Sequence, residues 1–379
     1  MIDFQQVKSP AFVLDESLLR KNLELIDGVQ KAAGVSVILA FKGFAMWSAF
    51  PLVRQYLAGA TASSLGEARL CFEEMKSRAH TYSVAYMPRE FGQILKYSGH
   101  ITFNSIGQFN KFGKKARAAG VSCGIRVNPE WSPVGTDLYN PAAPGSRLGE
   151  VVENFKKGLP EGVEGLHFHV LCESTSHDLE RVLENFEARF GQFLPKIKWV
   201  NMGGGHLMTR KDYDTAHLIS VLKNFKKRHP HLEIILEPGS AVAWETGILV
   251  ASVLDIVKNK GIKTAILDVS FTAHMPDTLE MPYKPRIAGA NENPAPDDKN
   301  LYRLGGVSCL AGDFMTEYSF EKPLKIGQKL VLEDMIHYTM VKTTTFNGVT
   351  HPDIAIWREP GRLEIVKRFG YKDYRNRLS

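Results

Sequence analysis

The sequence predicts an α/β chain with two parts, an N-terminal (β/α)8 TIM barrel followed by a C-terminal β-rich, Greek-key-like domain. Two observations carry that reading. Between about residues 35 and 237, eight short apolar runs alternate with longer, charged, amphipathic segments. From about 245 onward the runs become β-like and are separated by Pro, Gly and Asn. A length of 379 residues is ample for two cores.

The eight runs are VSVILAF (35–41), GATA (59–62), TYSVAY (81–86), ITF (101–103), SCGIRV (122–127), GLHFHV (165–170), KIKWVNM (196–202) and EIILE (233–237). Several are unbroken rather than alternating, the habit of parallel strands covered on both faces. A doubly wound sheet is the competing arrangement. Helices are predicted at SLGEARLCFEEMKSR (64–78) and HDLERVLENFEARFGQFL (177–194). The second sets Leu179, Leu183, Phe186 and Phe190 on one stripe, with Asp178 and Glu180 at the end that favours negative charge.

Past the barrel, ILVASVLDIVK, TAILDVS, KLVLED, HYTMVKTTTF, DIAIWR and RLEIVKRF read as strands. The predicted division is a barrel over 16–245 and a β domain over 246–379, with the early run SPAFVLD (9–15) lending the latter a strand. The linker falls near 241–250. AGANENPAPDDKN (288–300) reads as a loop.

Composition narrows the function. The chain is 44% hydrophobic and 23% charged, values of a globular protein rather than a disordered one. Forty-seven basic against forty-one acidic residues leave +6, with no basic tail or zinc-finger spacing, so no nucleic acid is expected as a partner. Four cysteines without a C-x-x-C pair suit a reducing compartment. No apolar stretch approaches the ~20 residues of a membrane span and no signal-peptide pattern opens the chain. A cytoplasmic protein without membrane contact is expected.

In a barrel of this kind the C-terminal strand ends line the reactive face. Lys42 ends the first run. It is either the first solvated residue or, if desolvated, an amine able to form a Schiff base. His167 and His169 share one face of the sixth run, with Cys172 close behind. Without an obvious third ligand they suggest a ring-stacking imidazole rather than a metal, and no metal is predicted. Gly203, Gly204 and Gly205 follow the seventh run, where a tight turn can offer backbone N–H groups to a phosphate. Glu237 ends the eighth, a carboxylate costly to bury unpaired that a protonated ring nitrogen would satisfy. Amine, imidazole, anion turn and carboxylate together describe a pocket for pyridoxal 5′-phosphate.

At these residues the sequence resembles the alanine-racemase-fold (type III) pyridoxal-phosphate decarboxylases, which act on ornithine, arginine and diaminopimelate. The resemblance runs through AFKG, HFHVLC, NMGGGH, LEPG, GGVSCLAGD and DMIHYT. It implies a carboxy-lyase in which Lys42 carries the cofactor, His169 stacks on its ring, Gly203–Gly205 and Tyr338 hold its phosphate, and Glu237 pairs with its ring nitrogen. It further implies a homodimer with shared active sites, where Cys309 acts as general acid and Asp313 reaches the neighbouring pocket. Asp268 in LDVS stands where basic-amino-acid decarboxylases bind substrate. Arg147 in GSRLG matches a barrel loop of the family.

Departures point to substrate. Ser240 replaces the usual arginine after EPG, Leu310 replaces an aspartate after the cysteine, and the acid is delayed to Asp313. These changes, with AHMPDTLEMPY (273–283), resemble the branch that decarboxylates carboxylated polyamines, carboxynorspermidine and carboxyspermidine. Such a substrate needs acids away from the cofactor, for which Asp268, Asp313 and Glu280 are expected. A decarboxylase of a simple basic amino acid and a non-catalytic regulatory homologue are the alternatives.

Overall fold

The computed structural model describes residues 2–379. It divides into two units, Arg20–Val242 and the chain up to Leu19 together with Ala243–Ser379.

The first unit repeats strand and helix. After β1 (Ala11–Asp15) and α1 (Glu16–Ala33), the strands are β2 (Ser36–Val37), β3 (Leu39–Ala40), β4 (Ala60–Ala62), β5 (Ala79–Ser83), β6 (Ser98–Phe103), β7 (Ser122–Arg126), β8 (Gly165–His167), β9 (Trp199–Asn201) and β10 (Glu233–Leu236). The helices that follow α1 are α2 (Phe50–Val53), α3 (Leu65–Leu70), α4 (Pro88–Tyr97), α5 (Ile106–Ala118), α6 (Ser176–Phe190), α7 (Thr215–Arg228) and α8 (Ser240–Ala243). The ladder runs β2-β10-β9-β8-β7-β6-β5-β4-β3, every pairing parallel. Because β2 and β3 are two halves of one extended run, interrupted at Ile38, the sheet returns to its own start. It is an eight-stranded barrel. All eight predicted runs lie in it, although the third strand begins two residues before its run and stops at Ser83.

One large side chain, Trp199, packs over glycines of the neighbouring strands. A Cβ on Gly165 would come within 2.0 Å of the Trp199 ring, and one on Gly124 within 2.2 Å. Those glycines are what admit the indole, whose N–H donates to Ser122 Oγ at 2.9 Å. Trp199 packs with Ile38 and Ile235 in a small core cluster.

On α6 the predicted stripe is buried: Leu179, Leu183, Phe186 and Phe190 all face inward. Thr175 and Asp178 form a reciprocal cap that fixes its first turn. The predicted helix at 64–78 is shorter. After α3 it widens into a π turn over Cys71–Met75 and ends at Lys76 in a left-handed conformation.

The second unit is a mixed sheet. Its strands after β1 are β11 (Gly247–Asn259), β12 (Ile262–Leu267), β13 (Ala290–Asn291), β14 (Leu301–Gly305), β15 (Phe314–Phe320), β16 (Lys329–Glu333), β17 (Asp353–Arg358) and β18 (Arg362–Lys367). The order is β13-β15-β14-β12-β11-β1-β17-β18, with β16 on β11. The early strand β1 lies antiparallel to β11 and parallel to β17, and Val7, Ala11, Val13, Val250, Ala355 and Trp357 form a core there. Short helices α9 (Phe271–His274), α10 (Asp277–Glu280) and α11 (Tyr371–Leu378) complete the unit.

One strand expectation fails. HYTMVKTTTF forms turns, because Asp334 and Tyr338 take positive φ and the amides of Val341 and Lys342 return to the Tyr338 carbonyl. Its β-branched residues were a misleading signal. The sequence reading also passed over β13, β14 and β15.

Candidate active site

Strand ends of the barrel bring Lys42, His169, Glu237 and the glycine turn together. His169 is the hub. Its Nδ1 accepts the Gly204 N–H at 3.0 Å, and its Nε2 lies 3.0 Å from Lys42 Nζ. A ring nitrogen accepting from an amide carries no proton, so in a neutral imidazole the proton sits on Nε2. The Nε2–H must then donate to Lys42, and a donor can meet Nζ only if the amine has a lone pair. In that tautomer the contact favours an uncharged Lys42. Electrostatics agree: although part of Lys42 meets solvent, the surrounding protein desolvates its ammonium and the nearby Arg126 charge repels it, so its pKa falls from the ordinary value. His169 is held well below the imidazole range, first by burial and then by Lys42 and Arg126.

Glu237 is 7% exposed. Thr61 Oγ1 donates to its Oε1, and so does Asn201 Nδ2 at 2.5 Å. Burial raises its pKa, and those two bonds with the charges of Lys42 and Arg126 oppose the rise. Both donors go to one oxygen. Oε2 lies 3.7 Å from Nε2 of His167, whose own nitrogens have no hydrogen-bond partner and whose pKa lies well below the ordinary value through burial. A buried carboxylate with one oxygen lacking a donor fits a protonated pyridine nitrogen.

The glycine turn is required by packing. Gly203 and Gly205 have φ of +69° and +93°, and a Cβ on Gly204 would come 2.1 Å from the Glu237 carbonyl oxygen. Gly203 N–H donates to Asn201 Oδ1 at 2.9 Å. Two of the three amides expected at a phosphate are thus engaged within the protein. Ser240 is half-buried at the start of α8, where its backbone crowds Gly43: a Cβ there would lie 3.0 Å from Ser240 N.

Four contributors escaped the sequence reading. Arg126, 4% exposed, donates to the His169 carbonyl at 2.8 Å and lies over the Tyr82 ring at 4.8 Å. It is the one charge within SCGIRV, a visible signal. Asn201 directly precedes MGGG and couples the turn to Glu237. Thr61 in GATA gave no signal. Glu67 is desolvated near Lys42 and accepts the Ser63 N–H at 2.6 Å, its carboxyl pushed up by burial. The S-x-x-E pattern from Ser64 marks it. Exposed Arg147 adds positive charge felt at Tyr82 and Arg126.

In the sheet unit, Cys309 is exposed and its N–H donates to Asn347 Oδ1 at 3.0 Å. Asp313 is 4% exposed and turned inward, Oδ1 accepting Thr272 N–H from α9 and Oδ2 accepting Ser308 N–H from its own loop, each at 3.0 Å. Gly306 makes room for it, since a Cβ there would fall 2.3 Å from Oδ2. Asp268 accepts Ser9 Oγ at 2.6 Å and Ser252 N–H at 2.7 Å, tying the N-terminal segment to β11. Glu280 is exposed and ion-paired with Lys342. Tyr338 is half-buried beside His337, held in a left-handed turn. None of the three expected substrate acids presents an unengaged carboxylate.

Fold and site together define a pyridoxal-dependent lyase, a desolvated amine and a ring-nitrogen carboxylate at the mouth of a parallel barrel. Residues 11–336 match the family described as pyridoxal-dependent decarboxylase, C-terminal sheet domain. The chain belongs to that family; it is a decarboxylase, and pyridoxal 5′-phosphate is its cofactor. It is 51% identical over 370 residues to a carboxyaminopropylagmatine decarboxylase of Synechocystis, covering 98% of this chain and 95% of that one. A carboxynorspermidine/carboxyspermidine decarboxylase of Campylobacter jejuni is 45% identical, with 98% of each chain covered. The crystal structure of Campylobacter jejuni carboxynorspermidine decarboxylase with norspermidine superposes with a TM-score of 0.89 at 44% identity, over 98% of this chain and all of that one.

Proposed function

We propose that the protein removes the α-carboxylate of a carboxylated polyamine, carboxynorspermidine or carboxyspermidine, releasing norspermidine or spermidine and CO2. The observation that carries this reading is the full-length likeness to the Campylobacter jejuni enzyme bound to norspermidine, the compound left when carboxynorspermidine loses CO2. The 51% identity to the Synechocystis enzyme supports a second substrate, carboxyaminopropylagmatine. That molecule ends in a planar guanidinium instead of an ammonium and calls for a carboxylate reached in the plane of the fork.

Bound pyridoxal phosphate supplies the electron sink for the pair released with CO2. The residues do the rest. Lys42, kept uncharged by the His169 network, offers Nζ as the covalent anchor. Glu237 holds a proton on the ring nitrogen, and Thr61 and Asn201 fix its direction. His169 sets the ring plane, so that the scissile bond can stand across it. The Gly203–Gly205 turn and Ser240 hold the phosphate, and Arg147 adds cationic charge at the mouth.

The working unit in this reading is a cytoplasmic homodimer in which Cys309 reaches the neighbouring copy's site and delivers a proton to Cα. Exposed Val307, Leu310 and Phe346 around Cys309 support burial of that loop in an assembly. Asp313 and Asn347 hold the loop from two sides. For the distal cation, Glu280 is the acid most readily redirected, because an exposed ion pair such as Glu280–Lys342 contributes only ~0–1 kcal/mol.

The test is CO2 release by the cofactor-loaded enzyme with carboxynorspermidine, carboxyspermidine, carboxyaminopropylagmatine, ornithine, lysine, arginine and meso-diaminopimelate side by side. Turnover confined to carboxylated polyamines is expected. A preference for a simple diamino acid would overturn the substrate reading and leave the family assignment intact.

A further inference from the structure

Away from the barrel mouth, the first turns of α6 and α7 bring two imidazoles and a carboxylate together. His177 and Glu180 stand three residues apart on α6, and His217 faces them from α7. Their ligand atoms all lie within 4.8 Å of one another. His177 and His217 stack at 3.9 Å between ring centres, and His217 Nε2 lies 3.4 Å from Glu180 Oε2.

We propose that His177, Glu180 and His217 form a binding site for a borderline divalent cation, zinc first, that joins α6 to α7. Three features support it. The 3.4 Å between His217 Nε2 and Glu180 Oε2 is the edge of a tetrahedron whose metal–ligand bonds are about 2.1 Å, the length zinc takes with imidazole and carboxylate, and the exposed His177 completes the set by turning out of its stack on His217. His217 Nδ1 lies 3.0 Å from Oγ of the fully buried Ser176. When Nδ1–H donates to that oxygen, the Nε2 lone pair points at the cluster, the outer hydrogen bond that metal-bound histidines ordinarily have.

The third feature is neutralisation of the two helix ends. A helix N-terminus disfavours a cation. Here Asp178 caps α6 with Thr175, and Asp214 caps α7 by accepting the His217 N–H at 2.8 Å. These carboxylates offset the dipoles and hold both first turns in place. Two imidazoles and one carboxylate leave a fourth position for water, and the nitrogen donors favour zinc, cobalt or nickel over magnesium or calcium.

The test uses the full-length, cofactor-loaded enzyme, freed of metal by a chelator and titrated with zinc chloride in a calorimeter. One equivalent should bind, magnesium chloride should give no heat, and cobalt(II) should develop visible tetrahedral bands. His217→Ala and the double change His177→Ala/His217→Ala should each weaken zinc at least ~10-fold, and Ser176→Ala by about 10-fold. Decarboxylation without metal should be unchanged in the histidine variants, which certifies their fold. Zinc isotherms that superimpose for wild type and the double variant would overturn the proposal, placing the ion elsewhere. Absence of zinc heat in the wild type would overturn it equally.

Discussion

The barrel mouth and the cysteine loop of the sheet unit solve different problems with the same kind of hydrogen bond. At the mouth, side chains from separate strands bond to one another: Lys42 to His169, Asn201 and Thr61 to Glu237. In the sheet unit, side chains bond to backbone amides, Asp313 to Ser308 in its own loop and to Thr272 on α9, and Asn347 to Cys309 in a separate loop. The first arrangement fixes protonation states on rigid strand ends. The second fixes the path of the chain and leaves the thiol outside. Cofactor chemistry needs the former, and a residue that must meet a second surface needs the latter.

Substitutions sharpen that contrast. The largest effect is expected from Lys42→Ala, which removes the anchor: the internal-cofactor absorbance and turnover should both vanish, measured by visible spectroscopy and CO2 release. Cys309→Ala should lower kcat by roughly 10²–10⁴-fold, the usual weight of a general acid, while the cofactor spectrum survives. Loss of the spectrum there would erase the distinction between the two regions. Asp313→Asn keeps the shape but loses the charge on two amide bonds. A kcat drop of about 10-fold with little change in KM is expected, following ~1.5–3 kcal/mol for charged hydrogen bonds. A large rise in KM instead would return Asp313 to direct substrate contact. Glu280→Gln should raise KM for the triamine only a few-fold, in keeping with ~0–1 kcal/mol for exposed pairs.

The lowered pKa of Lys42 has a signature in the cofactor-free protein. Its folded pKa is lowered, so between that value and the ordinary 10.5 the unfolded chain binds a proton that the folded chain has released. Stability therefore gains with rising pH across that window. Lys42→Met should lack this gain, and chemical denaturation at pH 7 and pH 9 would measure the difference. A Lys42 charged when folded would give both proteins the same slope.

The barrel was legible in the sequence because each parallel strand is a short, nearly continuous apolar run, and the residue ending it is conspicuous. Lys42 after VILAF and Glu237 after EIIL stand out in that way. Arg126 and Asn201 carried equally visible marks, a charge inside a strand and an amide before three glycines. The sheet unit was less legible. Asp313 looks like a ligand-binding acid by position, yet Gly306 lets it fold inward, a contact between residues seven apart that only the turn reveals. HYTMVKTTTF has strand composition but turns at Tyr338, and no local pattern announces a left-handed tyrosine.

The place of β1 has a consequence for how the chain is made. Ala11 pairs with Val250 on one side and Asp353 on the other. Strand β1, made before both partners, thus has both edges open until β11 follows and one open until β17 does. The barrel strands, all within 36–236, can close meanwhile. A nascent chain stopped short of 353 would carry an unfinished β1 with one unpaired edge, the kind of edge that recruits a stranger's strand.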